Sequence, residues 1–170
     1  MAAADAEALF AEHHQTLLRY LCRAIGQADA ARDLAQDVFV RVSRSTAPEG
    51  GKSEIRAWMF RIARNLVIDY HRTRVRTDDP VPLTDLLARN ASQDVALAVN
   101  QALGALPDVE RDVFLMREVS GLSYDEIASV CDLTPEAVRS RLYRTRLELR
   151  ERLEAPIATH RIGRMRLSDR

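Results

Sequence analysis

Aromatic residues make up only 5% of this chain, and glycine and proline supply just six residues each out of 170. Alanine, leucine, arginine and glutamate dominate instead, a composition that favours helices over sheets. Hydrophobic residues reach 46% and charged residues 29%, which excludes global disorder. The chain has only two cysteines, Cys22 and Cys131. They form no CxxC motif and join no Cys/His cluster of metal spacing, so they read as free thiols of a reducing compartment. No apolar run approaches the roughly 20 residues that a membrane span needs. The opening MAAADAEALFAEHHQ carries acids and histidines where a signal peptide has a basic and then an apolar stretch. The expected location is therefore cytoplasmic.

Catalytic signatures are missing as well. There is no nucleophile motif, no phosphate-cradling glycine loop, no paired-carboxylate site and no HExxH. His13 and His14 are adjacent on a helix and point in different directions. With Glu12, Asp69 and His71 they make no recognised metal spacing. Neither an enzyme nor a cofactor, metal or small-molecule substrate is expected.

What the chain does have is segregated charge. The formal net charge is zero, yet Arg56 to Arg76 holds six arginines against one acid, Asp69. Arg139 to Arg152 holds six arginines against two glutamates. Acids gather around Asp78–Asp79 and from Asp108 to Glu126. Local patches, not net charge, steer a polyanion.

Apolar periodicity predicts an all-α protein of two small helical domains joined by a flexible linker, the second a helix-turn-helix. Helices are expected at 5–25 (Leu9, Phe10, Leu17, Leu18, Leu21, Ile25 inward, Gly26 ending it), 29–43 (Leu34, Val38, Phe39, Val42) and 54–74. Ser53 is placed as the cap of the third, whose face is Ile55, Trp58, Met59, Ile62, Ala63, Leu66, Val67 and Tyr70. The domain boundaries are 1–76, a linker at 77–94 with a short helical turn near Leu83–Leu87, 95–154, and a basic tail at 155–170. The second domain should hold helices at 95–105, 108–119, 124–130 and 135–153.

Within that domain, Ser123 followed by Glu126 is a capping-box pattern. Asp132 stands in a turn that needs a left-handed residue. Thr134 is a good N-cap and Pro135 suits the first helical position. Val138, Leu142, Leu149 and Leu153 form the stripe that seats the last helix. A capped helix entering the major groove presents its first turns to base edges while flanking arginines meet phosphates. Glu136, Arg139, Ser140 and Arg144 are assigned to reading and positioning, and Arg141 and Arg146 to phosphates; the competing account is a solvated arginine face.

The first domain adds an amphipathic string, DLAQDVFVRV (Asp33–Val42), a polar loop, and the basic helix RAWMFRIARNLVIDYHRTRVR (Arg56–Arg76). Arginines interleaved with aromatics suit single-stranded or melted DNA. Trp58 is a core anchor or a stacking platform.

ARDLAQDVFVRV, IRAWMFRIARNLVIDYHRTR and ALGALPDVERDVFLMREVSGLSYDEIASVCDLTPEAVRSRLYRTRLELRERL, in that order around a linker, resemble the successive segments of extracytoplasmic-function sigma factors. These are minimal two-domain sigma subunits of bacterial RNA polymerase. The resemblance runs from about Leu9 to Leu153. It implies contact with the β′ clamp of core RNA polymerase through Asp33, Gln36, Asp37 and Phe39, although Phe39 equally suits core packing. It also implies −10 promoter DNA opened and read by Asn65, Asp69, Arg72 and Arg74, with Ser43–Ser53 receiving a flipped base. The −35 element falls to Glu136, Arg139, Ser140, Arg141 and Arg144, and the acidic 77–94 segment threads toward the polymerase cleft. By the same analogy a membrane-linked anti-sigma factor holds the protein inactive, and SEIRAWMFRIARNLVIDYHR is similar to the iron-starvation branch.

Asp132 and Cys131 depart from the family's usual glycine and leucine. The tail is a DNA or regulator contact or a frayed terminus. The rival function is a stand-alone helix-turn-helix regulator that binds a palindrome as a dimer.

Overall fold

A computed structural model describes residues 3–75 and 93–154. Seven helices account for nearly all of them. α1 (Ala3–Ile25), α2 (Ala28–Arg44) and α3 (Lys52–Val75) build the first lobe; α4 (Gln93–Gly104), α5 (Asp108–Glu118), α6 (Tyr124–Cys131) and α7 (Pro135–Glu154) build the second. Among the described residues there is no strand. The linker turn near Leu83–Leu87 and the tail lie outside the described residues.

The helix ends follow local chemistry. Gly26, at φ 75°, donates its N–H to the Cys22 carbonyl at 2.9 Å, a left-handed termination that costs glycine no steric penalty. Ser45 ends α2 by donating to the Val42 carbonyl. The α3 boundary corrects the sequence reading. The helix begins at Lys52, so Ser53 is not its cap; its hydroxyl donates to Glu126 of the other lobe at 2.8 Å.

Both lobes contribute to one continuous apolar core. In the first lobe it holds Leu17, Tyr20, Leu21, Ile25, Val38, Val42, Met59 and Phe60, with the Tyr20 and Phe60 rings 5.6 Å apart. In the second it holds Val113, Leu115, Met116, Leu122, Ile127, Val138 and Leu142. Amphipathic stripes pair within each lobe, and α1 and α3 bury a second side against α5 and α6. That explains Tyr20 and Phe60, which are fully buried although they lie off the single stripe that periodicity marked. Conversely, Phe10 is exposed at the α1 surface, where its ring meets Phe39 edge-on at 4.3 Å.

The joint between the lobes is polar at its centre. Arg64 Nε donates to Asp112 Oδ2 at 2.8 Å, and the Tyr20 hydroxyl donates to Asp112 Oδ1 at 3.1 Å. Burial pushes the Asp112 carboxyl above its ordinary range, against the opposing pull of the Arg64 guanidinium. The same burial and the adjacent carboxylate push the Tyr20 phenol well up. Ser120 adds a bond to the Thr16 carbonyl at 3.4 Å.

Candidate nucleic-acid interface

The recognition helix is assembled from its turn outward. Ser123 and Glu126 form the full capping box: Ser123 Oγ accepts from the Glu126 N–H at 3.2 Å, and Ser123 N–H donates to Glu126 Oε2 at 2.7 Å. Asp132 ends α6 at φ 55°, ψ 48°, the left-handed region that a short polar side chain tolerates. Thr134 Oγ1 then accepts from the Ala137 N–H at 3.2 Å, and α7 starts at Pro135. Turn and cap stand as the sequence predicts.

Val138, Leu142, Thr145 and Leu149 are the buried residues of α7. Leu153, assigned to that stripe, is instead 45% exposed, as is Leu147. Leu153 lies in the last turn of α7, one turn beyond Leu149, the last buried position of the helix among the described residues. Thr145, between Leu142 and Leu149, joins the buried stripe instead, and its hydroxyl has no hydrogen-bond partner among the described residues.

On the outer side Glu136, Arg139, Ser140, Tyr143 and Arg144 are exposed. Arg144 Nε reaches back to the Ser140 carbonyl at 3.4 Å. Arg139 lies over the Tyr124 ring, its Cζ 5.7 Å from the centroid, while Arg117 lies 5.1 Å from the same ring. The sequence reading does not single out this ring, because an aromatic next to a capping serine gives no separate signal. Arg141 and Arg146 are already partnered within the lobe, by Glu110 and Glu118 respectively.

The first lobe divides its candidates between two places. Asp33, Gln36 and Asp37 are exposed together on α2, and Phe39 is half-buried against Phe10 and His14. On α3, Asn65, Asp69 and Arg72 are exposed. Arg74 donates to the Tyr70 hydroxyl at 2.6 Å with its guanidinium over the Tyr70 ring. Trp58 is partly buried against the core. The candidate residues thus fall in three places, on α2 and α3 of the first lobe and on α7 of the second.

Sequence reasoning did not find the use made of Arg56, Arg61 and Arg64. Arg56 makes a two-pronged pair with Glu126, Nε to Oε1 at 2.7 Å and Nη2 to Oε2. Arg61 Nη2 donates to the Ser129 carbonyl and lies 3.7 Å from Asp132. Glu126 is buried, yet the Arg56 guanidinium and the Ser123 and Ser53 donors outweigh that burial and hold its carboxyl down at about 2. The charge pattern groups these three arginines with a DNA-facing surface, whereas in the structure they face the second lobe.

Among the described residues no group of three or more histidines, cysteines or acids could hold a metal ion, and no helix is long and apolar enough to cross a membrane.

Two family models match this architecture lobe by lobe: sigma-70 region 2 over residues 9–77 and sigma-70 region 4 over residues 96–149. The chain is 31% identical to RNA polymerase sigma factor YlaC of Bacillus subtilis, over 86% of this chain and 91% of that one. It is 33% identical to ECF RNA polymerase sigma factor SigE of Mycolicibacterium smegmatis, over 85% of this chain and 60% of the relative. The solved sigma factor RpoE from Bartonella quintana, in complex with the anti-sigma factor NepR, superposes with a TM-score of 0.70 at 25% identity. That superposition covers 88% of this chain and 98% of the other. The chain belongs to the extracytoplasmic-function sigma factors of the sigma-70 family. Its role is that of an alternative sigma subunit in promoter-specific transcription initiation by RNA polymerase.

Proposed function

We propose a division of labour among three surfaces, on α2, α3 and α7. The α2 surface bearing Asp33, Gln36, Asp37 and Phe39 docks on the β′ clamp of core enzyme. The exposed edge of α3, with Asn65, Asp69, Arg72 and Arg74, reads the −10 element beside the α2–α3 connection, which is shorter than the expected Ser43–Ser53 loop and spans only 45–51 because α2 runs to Arg44 and α3 starts at Lys52. On α7, Glu136, Arg139, Ser140 and Arg144 read and position the −35 element, with Arg141 exchanging Glu110 for a phosphate. The observation that carries this reading is the capped, left-handed turn that delivers Arg139, Ser140 and Arg144 to solvent on one helix. A recognition helix enters the major groove by its first turns.

In vitro transcription with purified core enzyme on a fragment library from the source genome tests it. Promoter-specific starts that depend on this chain are expected. Tight unaided binding to a palindrome as a dimer, with no start-site selection, would establish the stand-alone regulator instead.

An anti-sigma factor is the regulatory partner this reading favours, supported by the solved relative held by NepR. We assign that partner a membrane-linked form and the iron-starvation branch on the wording of the third helix, SEIRAWMFRIARNLVIDYHR. Co-expression with the cytoplasmic segment of such a regulator should silence the transcription assay; undiminished transcription would remove the assignment.

A further inference from the structure

Between the second half of α3 and the first turn of α5 lies a cavity of about 270 Å³ with walls from both lobes. Val67 and Ile68 give it an apolar side. His71 stands fixed beside them, its Nε2 donating to the Ala24 carbonyl at 3.1 Å. From the second lobe come Asp108, Arg111 and Asp112. Their charges are already matched: Arg111 pairs with Asp108, and the two oxygens of Asp112 meet Tyr20 and Arg64. Arg72 is the exception. It lines the same cavity, is exposed, and has no hydrogen-bond or ion-pair partner among the described residues.

A concave site with an apolar side and one uncommitted guanidinium selects its ligand by charge and by shape. A guanidinium takes a carboxylate through two parallel N–H···O bonds. A dianion such as a phosphate monoester gains at Arg72 but is opposed by Asp108 and Asp112, which line the same space. The volume equals about nine water-sized groups at roughly 30 Å³ each, just below the ~300 Å³ at which sites for drug-sized ligands begin. We propose that this cavity binds a small organic monocarboxylate, its carboxylate on Arg72 and its apolar body against Val67 and Ile68, between α3 and α5. Arg111 and Asp108 close the opposite wall as a neutral pair, so the single charge of the ligand is answered by Arg72 alone.

The test is a titration of isotope-labelled full-length protein with benzoate, followed by amide NMR shifts. Benzoate has the size, the single charge and the apolar body. Shifts should concentrate on residues 67–72 and 108–112 and saturate in the millimolar range, as suits so small a ligand. Benzamide keeps the shape without the charge, and inorganic phosphate keeps the charge without the body. Each should bind about tenfold more weakly than benzoate. Arg72→Gln, at an exposed position, should weaken benzoate by about the same factor. Ile68→Trp fills the cavity from its apolar side and should abolish binding, with a thermal melt to verify the fold. If that variant does not fold, Arg72→Gln decides alone. Shifts centred elsewhere on the molecule, benzamide or phosphate binding as well as benzoate, or undiminished binding by Arg72→Gln would each overturn the proposal. So would the absence of any saturable shift. The titration contains neither polymerase nor promoter DNA, so its failure leaves the assignment of Arg72 to the −10 element standing.

Discussion

Arg64 and Asp112 sit 48 positions apart in the chain, in different lobes, and join at 2.8 Å with both side chains largely shielded from water. Removing one member of such a pair leaves the other charge buried and uncompensated. Asp112→Asn should therefore destabilise the protein by about 3 kcal/mol in denaturant unfolding. Tyr20→Phe, which removes only a hydrogen bond and leaves the ion pair, should cost about 1 kcal/mol. Equal effects for the two would show that the pair contributes no more than the hydroxyl.

Glu126 gives the acid response a defined window. Its carboxyl is held near 2, against an ordinary 4.5. A depressed carboxylate contributes stability that is present above its unfolded value and lost as pH falls through the folded one. The contribution is on the order of 3 kcal/mol at about 1.4 kcal/mol per tenfold, and it should be intact at pH 6 and fade between about 4.5 and about 2. Thermal melts of wild type and Glu126→Gln across that range read it directly. Their difference should shrink with acid; a constant difference would exclude titration of Glu126 as the cause. Burial shifts Asp112 upward, so its own effect runs the other way, with stability present below its ordinary value and lost as pH rises; it is common to both proteins and cancels.

Arg139→Ala or Arg144→Ala should cost about 1–3 kcal/mol of −35 binding and relax base preference there. Tyr124→Leu removes the ring beneath Arg139 and should reproduce part of the Arg139→Ala loss, with Tyr124→Phe close to wild type. Competition transcription with a randomised −35 region measures all four variants. An unchanged base preference for Arg139→Ala would take that residue out of the reading set.

Asp37 is exposed on α2, so Asp37→Arg should leave the melt unchanged while abolishing co-purification with core enzyme. Retention of core binding would move the docking surface elsewhere.

Burial pushes the Cys131 thiol up to about 11, and a thiol attacks only as the thiolate. Alkylation of Cys131 at pH 8 should be slow in the native protein and become rapid on unfolding, as followed by mass spectrometry. Fast native labelling would mean that the lobe opens around it.

Much of this architecture was legible before any coordinates. The left-handed turn at Asp132, the cap at Thr134 and the box of Ser123 and Glu126 are local devices, specified by residues within a few positions of one another. The apolar stripe of α2 was likewise readable from period alone, as Val38 and Val42 show. The joint between lobes was not. Tyr20, Ser53, Arg56 and Asp112 owe their environments to partners dozens of residues away, and periodicity carries no record of those. Ser53 shows the conflict most plainly: a serine ahead of a helical run reads as a cap, yet the helix starts one residue earlier and the hydroxyl bonds across the molecule. Leu153 differs for the opposite reason, since the sequence repeat continues one turn past Leu149, where burial among the described residues ends.

The carboxylate of Glu126 belongs to two assemblies at once, and only one of them depends on how the halves stand. Its bond to the Ser123 amide and the return bond to the Ser123 hydroxyl are local to α6. Neither of these two bonds involves Arg56 or Ser53, which meet the same carboxylate from the other lobe. The first turn of α6 is thus closed by contacts of its own and borrows none of them from the first lobe.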